Sequence, residues 1–261
     1  MSGMSGMSES VTLGSFDPAL VLLSFLISVF GSWCGLACAA RVRRRTGRSA
    51  MVWLLAAAVS IGGGAIWSMH FIGMLAYQSH VVYTLDLKVT LLSLVAAIGS
   101  SAIGMAIATS LRGLWGYVVG GLVTGGGVCV MHYLGMSAMT MNADMQWRPA
   151  VVGLSILIAV VAAGLALYFA LNLRTVWVMV VAAVVMGLGV CTMHYTGMLA
   201  LTVAPATDLD LGARAGTDPF SLAMPIFGIS SVLLLVLLFA GLFDETSLDP
   251  AEAQPELEPA S

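Results

Sequence analysis

Seven long runs free of charge dominate the sequence, at about 18–40, 50–77, 88–111, 114–141, 149–171, 175–203 and 219–243. Each reaches or exceeds the ~20 apolar residues needed to cross a hydrocarbon core of ~30 Å. In lipid, the backbone polar groups of such a run are satisfied only inside a helix or a closed barrel. Apolarity here is continuous rather than alternating, which selects helices. The expected fold class is all-α integral membrane with seven transmembrane helices. Composition agrees, since 59% of residues are hydrophobic and 9% charged, against ~25% charged in a soluble domain. With a formal net charge of −3 and a single basic run from Arg41 to Arg48, no nucleic-acid partner is expected. The surface is suited to membrane lipid.

Basic residues set the expected orientation. Arg41, Arg43, Arg44, Arg45, Arg48, Arg112 and Arg174 fall at one end of the spans, Lys88, Arg148 and Arg214 at the other. Cytoplasmic loops carry the excess of Lys and Arg, so the N-terminus is expected outside and the C-terminus in the cytoplasm. Residues 1–14, small and polar, and the acidic, Pro- and Ala-rich 244–261 read as disordered tails on a membrane domain over 15–243. No Lys or Arg precedes Arg41, so the first run is expected to stay as a span rather than leave as a signal peptide. Cys34, Cys38, Cys129 and Cys191 all fall inside apolar runs, which is no disulfide framework. Cys34 and Cys38, one turn apart, read as small packing residues.

An internal repeat carries the most information. MHFIGM (69–74), MHYLGM (131–136) and MHYTGM (193–198) place His70, His132 and His194 at intervals of 62 residues, and Trp53, Trp115 and Trp177 keep the same interval. The unit is therefore a helix pair, and the expected architecture is three pseudo-repeated pairs plus one helix. Because each unit crosses twice, the motifs return to one depth. His70 lies eight residues before Gln78, roughly 12 Å inside the outer boundary at ~1.5 Å per residue. The tryptophans fall near the opposite boundary, where interfacial aromatics belong.

Relative to each histidine, −7 is Gly63, Gly125 or Gly187, −3 is Trp67, Cys129 or Cys191, +3 is Gly73, Gly135 or Gly197, and +4 is Met74, Met136 or Met198. These positions form one helical stripe. Small residues along it allow close helix approach, so the histidine face is expected to point into the bundle. Imidazole and thioether one turn apart, with Met69, Met131 or Met193 just before, make a soft donor set that favours Cu(I). The expected metal residues are Met69, His70, Met74, Met131, His132, Met136, Met193, His194 and Met198. Cys129 and Cys191 are possible auxiliary thiolates.

Three copies of Met-His-Tyr/Phe-x-Gly-Met on alternate helices of a seven-span chain resemble the MHYT domain, a family of bacterial integral membrane sensors. The third copy reads MHYT literally, the second has Leu134 for Thr, and the first has Phe71 and Ile72. That variation argues against an essential Tyr hydroxyl at every copy. The resemblance covers roughly residues 15–243. It implies a multi-pass protein of the bacterial inner membrane that senses a diatomic gas (oxygen, carbon monoxide or nitric oxide) or redox state through one or two copper ions. Many members carry a cytoplasmic output domain such as a GGDEF or EAL module or a histidine kinase. No such module follows here, so the expected output is a separate cytoplasmic protein.

Two other classes are weighed. Three level membrane histidines also suit a zinc-dependent hydrolase, but the carboxylates Asp86, Asp144, Asp208 and Asp210 lie in or near loops, and an enzyme is not expected. Copper transport would need relay sites at successive depths, whereas only the outer layer and the distant Cys34/Cys38 pair are present. His80, near an outer loop, is expected to be solvated.

Overall fold

Three helices begin at a proline. Asp17 accepts hydrogen bonds from Ala19 N–H (2.8 Å) and Leu20 N–H (3.1 Å), and Pro18 opens the first helix. This is the arrangement that relieves unpaired N-terminal N–H groups. Pro149 and Pro219 likewise open the fifth and seventh. The computed structural model describes residues 15–78, 83–111, 113–141, 143–173, 175–205 and 216–246. Within them are seven helices long and apolar enough to cross a membrane. They are α1 (Pro18–Val42), α2 (Gly47–Leu75), α3 (Leu87–Leu111), α4 (Gly113–Ser137), α5 (Pro149–Asn172), α6 (Val176–Ala200) and α7 (Pro219–Thr246). The all-α membrane class expected from the sequence is what is found. His80, Asp208, Asp210 and the tail segments 1–14 and 247–261 lie outside the described residues, while residues 244–246, expected to begin the C-terminal tail, close the last helix.

Helix α2 has a π-helical stretch, Val59–Trp67, just before its motif. It spans Gly62, Gly63 and Gly64, and a Cβ on Gly62 would strike the Ala97 backbone of α3. The stretch therefore seats α2 directly against its neighbour. Wider π turns recur at functional sites.

Six helices close into a ring in chain order, with α6 packing back on α1, while α7 lies outside against α1 and α2. Ser68 Oγ and Ser230 Oγ, 2.6 Å apart, tie α7 to α2. Large apolar side chains such as Leu114, Trp177 and Ile229 are more than two-thirds exposed, a surface that only lipid would cover.

At the motif end, three antiparallel ladders replace helix. Strand β1 (Ser15–Phe16) pairs with β2 (Tyr77–Gln78), β3 (Tyr83–Leu85) with β4 (Met139–Met141), and β5 (Ala143–Trp147) with β6 (Leu201–Pro205). The runs expected to continue to 141 and 203 as helix end at Ser137 and Ala200. The cause is repeated three times: Asp17, Asp86 and Arg148 donate their N–H to the carbonyls of Ala76, Ala138 and Ala200 at 2.8, 2.9 and 2.9 Å. Each bond captures a helix-terminal carbonyl and turns the chain into a ladder. Those three alanines are buried and again 62 residues apart.

Candidate metal centre

The three motif helices are the even members of the ring, so each presents its stripe to the central axis. His70, His132 and His194 are at most 1% exposed. Their Nδ1 atoms converge, at 3.0 Å (His70 to His194), 3.2 Å (His70 to His132) and 3.3 Å (His132 to His194). Ring centroids are 5.0–5.2 Å apart with planes 75–88° to one another. The result is a three-bladed arrangement around one point.

Neutral imidazoles alone cannot satisfy that point. Each Nδ1 presents either one N–H or one lone pair to it. One hydrogen serves two of the three contacts at most and leaves the third as lone pair against lone pair. A cation at the centre engages all three lone pairs at once. The centre of the nitrogen triangle is about 1.8 Å from each atom, close to the ~2.0–2.1 Å of a zinc–imidazole bond. The donor set therefore fits a metal ion. The three histidines form the only such group of mutually close His, Cys, Asp or Glu donors among the described residues.

Glycine shapes the other edge of each ring. A Cβ on Gly135 would overlap His70 Nε2, one on Gly197 would overlap His132 Nε2, and one on Gly73 would meet His194 Nε2 at 2.5 Å. Each imidazole thus lies on the +3 glycine of another motif, in cyclic order. None of the three Nε2 atoms has a hydrogen-bond partner among the described residues.

The residue after each histidine explains the variation between copies. Tyr133 bonds Ser155 at 2.5 Å and Tyr195 bonds Ser24 at 2.8 Å, each linking its motif to another helix. Phe71 has no hydroxyl, but Ser93, 62 residues before Ser155, receives the Trp67 Nε1–H at 2.9 Å instead. Trp67 stands where the other copies have Cys129 and Cys191. Its indole thus replaces the missing phenol, a compensation legible only once Ser93 is seen beside it.

All six motif methionines are 0–2% exposed. Each adjoins its histidine in sequence or lies one turn away. Cys129 and Cys191, 7% and 8% exposed, lie one turn before their histidines and outside the group of three. Cys34 and Cys38 are buried among apolar residues. Tyr83, from β3, donates to the Met74 carbonyl at 3.1 Å and covers the first motif.

The repeat model described as a bacterial signalling protein N-terminal repeat, MHYT, matches residues 2–52, 63–121, 125–183 and 187–250. The chain belongs to the MHYT family. The last three matches begin at the −7 glycines; the first, over α1, lacks the hexapeptide yet supplies Asp17 and Ser24, the partners that Asp86, Arg148, Ser93 and Ser155 supply elsewhere. MHYT relatives include the bifunctional diguanylate cyclase/cyclic di-GMP phosphodiesterase MucR of Pseudomonas aeruginosa, 38% identical over 238 residues, or 89% of this chain and 34% of the relative. The cyclic di-GMP phosphodiesterase NbdA of the same organism is 32% identical over 210 residues (77% and 27%). The signaling protein YkoW of Bacillus subtilis is 33% identical over 200 (72% and 24%). The chain thus spans about a third or less of these relatives' length. No solved structure matches it. It is a multi-pass membrane sensor protein of a bacterial signalling family.

Proposed function

We propose that His70, His132 and His194 hold a copper ion, Cu(I) in the resting state, and that the protein senses a diatomic gas or redox state at that ion. The convergence of three Nδ1 atoms to within 3.0–3.3 Å carries the reading. Nitrogen alone suits zinc as well as copper. The six buried methionines around the histidines tip the choice, because a thioether-rich pocket suits a soft ion. Bound there, copper supplies one-electron redox chemistry and affinity for small diatomic ligands. The chain's own part is to hold three imidazoles edge to edge, keep them buried from water, and transmit any ring movement along α2, α4 and α6. A ligand shifts that packing only by binding one arrangement better than another.

The protein sits in the inner membrane with the motif end outside and the arginine end in the cytoplasm. Output passes from the arginine end to a cytoplasmic cyclic di-GMP module, of the kind named for MucR and NbdA, in the same polypeptide or another. A zinc hydrolase is disfavoured, because the described carboxylates Asp17, Asp86 and Asp218 sit at helix starts and serve as caps.

The test is elemental analysis of anaerobically purified protein beside a His70/His132/His194→Ala triple variant. Copper in the wild type and none in the variant is the expected result. Equal copper in both, or zinc in place of copper, overturns the reading.

A further inference from the structure

One turn below the histidines, at the −4 positions, Ile66, Val128 and Val190 form a collar 62 residues apart. All three line a buried axial chamber of about 40 Å³ that also reaches Met193, the residue before His194. A single water needs roughly 10–15 Å³ by this measure, so the chamber has room for a molecule of a few atoms. Its lining carries no charge. Two polar side chains line it: Thr124, whose hydroxyl donates to the Ser100 carbonyl, and Ser32, whose Oγ is buried and has no hydrogen-bond partner among the described residues.

Between α5 and α6 the outer surface holds a groove of about 410 Å³, walled by the exposed Leu157, Val161 and Leu165. Groove and chamber share Ala162, Met186 and Gly189 as lining. The wall between lipid and chamber is therefore one residue thick at that level. At the seam only small groups meet, Gly189 packing so closely on Ala162 that an added Cβ would come within 2.9 Å of Ala162 Cβ. Met186 is an unbranched, flexible side chain. At the motif end, the buried Ala76, Ala138 and Ala200 have their carbonyls held by three main-chain bonds.

We propose that small uncharged molecules dissolved in the bilayer enter laterally through the α5/α6 groove, pass the Ala162/Gly189 seam, and occupy the axial chamber beneath the histidines. The idea rests on the copper reading only for the destination of the ligand; the portal and the chamber are features of the chain itself. Partition into lipid concentrates apolar solutes at the groove, and a chamber lined by apolar side chains apart from Ser32 and Thr124 favours them over water.

Xenon is the probe. Full-length, metal-free protein in lipid nanodiscs, labelled at the methionine methyl groups, is titrated with dissolved xenon and followed by methyl NMR. Met193 and Met186 are expected to shift. Ala162→Phe, which fills the seam, is expected to abolish the Met193 shift, and Met186→Ala to enlarge or speed it. Each variant is first checked for wild-type helical content and thermal midpoint; Met186→Ala adds no bulk and keeps the test decisive if Ala162→Phe fails to fold. No Met193 shift in the wild type, or an unchanged shift in the variants, overturns the proposal, as does a water-filled chamber that excludes xenon. Copper analysis of separate metal-loaded samples is independent: xenon entry without copper binding sinks the metal reading and leaves the portal, and the converse sinks the portal alone.

Discussion

At Gly73, Gly135 and Gly197 a hydrogen atom is all that fits under the imidazole of another motif. The −7 glycine has a different duty, shown by Gly125, where a Cβ would strike the Val160 backbone of α5. Both glycines were legible as an inward stripe of small residues, but their division of labour was not, because it depends on which motif follows which around the ring. Nor could spacing say that Nδ1 rather than Nε2 converges, since a rotamer decides that. Gly135→Ala should push the His70 ring out of the nitrogen triangle. Overpacking of this kind costs about 1–3 kcal/mol, so the protein should fold with a lowered midpoint and bind far less metal. Gly126→Ala, where a Cβ meets nothing within 4 Å, should leave metal content unchanged and if anything stabilise the helix. Metal per protein and thermal midpoint, measured on both variants, check this; wild-type metal content in Gly135→Ala would refute the cradle.

The elements at the motif end are where the sequence was least informative. Strands of two to five residues are too short to show alternation, and the stretches at 139–141 and 201–203 share the apolarity of the helices before them. Tertiary hydrogen bonds at Ala76, Ala138 and Ala200 decide against helix there. The helix cores, by contrast, were located to within a few residues, because hydrocarbon thickness fixes their length. The ladder region also contains a titratable reporter. Burial, and then the Asp218 carboxylate nearby, push the Tyr83 hydroxyl from an ordinary 10.0 up to about 12. A group raised in the folded state contributes stability that is intact below its unfolded value and disappears as pH climbs through the folded one. Wild-type protein is therefore expected to lose stability between pH 10 and about 12, and Tyr83→Phe to lose less over that interval. Thermal unfolding in that range, paired with tyrosinate absorbance, measures both. An identical alkaline loss in the two proteins would mean that the buried Tyr83 hydroxyl does not set it.

For the whole molecule, the 62-residue period predicted three level motifs, and the five helices α2 to α6 keep it, while α1 starts 69 residues before α3 and α7 starts 70 after α5. The sequence left one helix over from the three pairs, but where that helix, α7, packs had no sequence signal, because its contacts with α1 and α2 are tertiary. Orientation carries the largest consequence. His70 and Arg48 are separated by 22 residues, about 33 Å of helix at ~1.5 Å per residue, so the histidine centre and the arginine end face opposite compartments. At the arginine end, Arg43 has a structural duty, donating to the Leu171 and Leu173 carbonyls at the end of α5. Native cysteines are all buried, so an introduced thiol is read against a low background. Gln78→Cys at the exposed motif end should react with a membrane-impermeant maleimide on intact spheroplasts, whereas Thr46→Cys, in the exposed turn before α2, should react only after permeabilisation. The reverse pattern would put the histidines on the cytoplasmic side, and a centre placed there would answer to the cell's own redox state rather than to what arrives from outside.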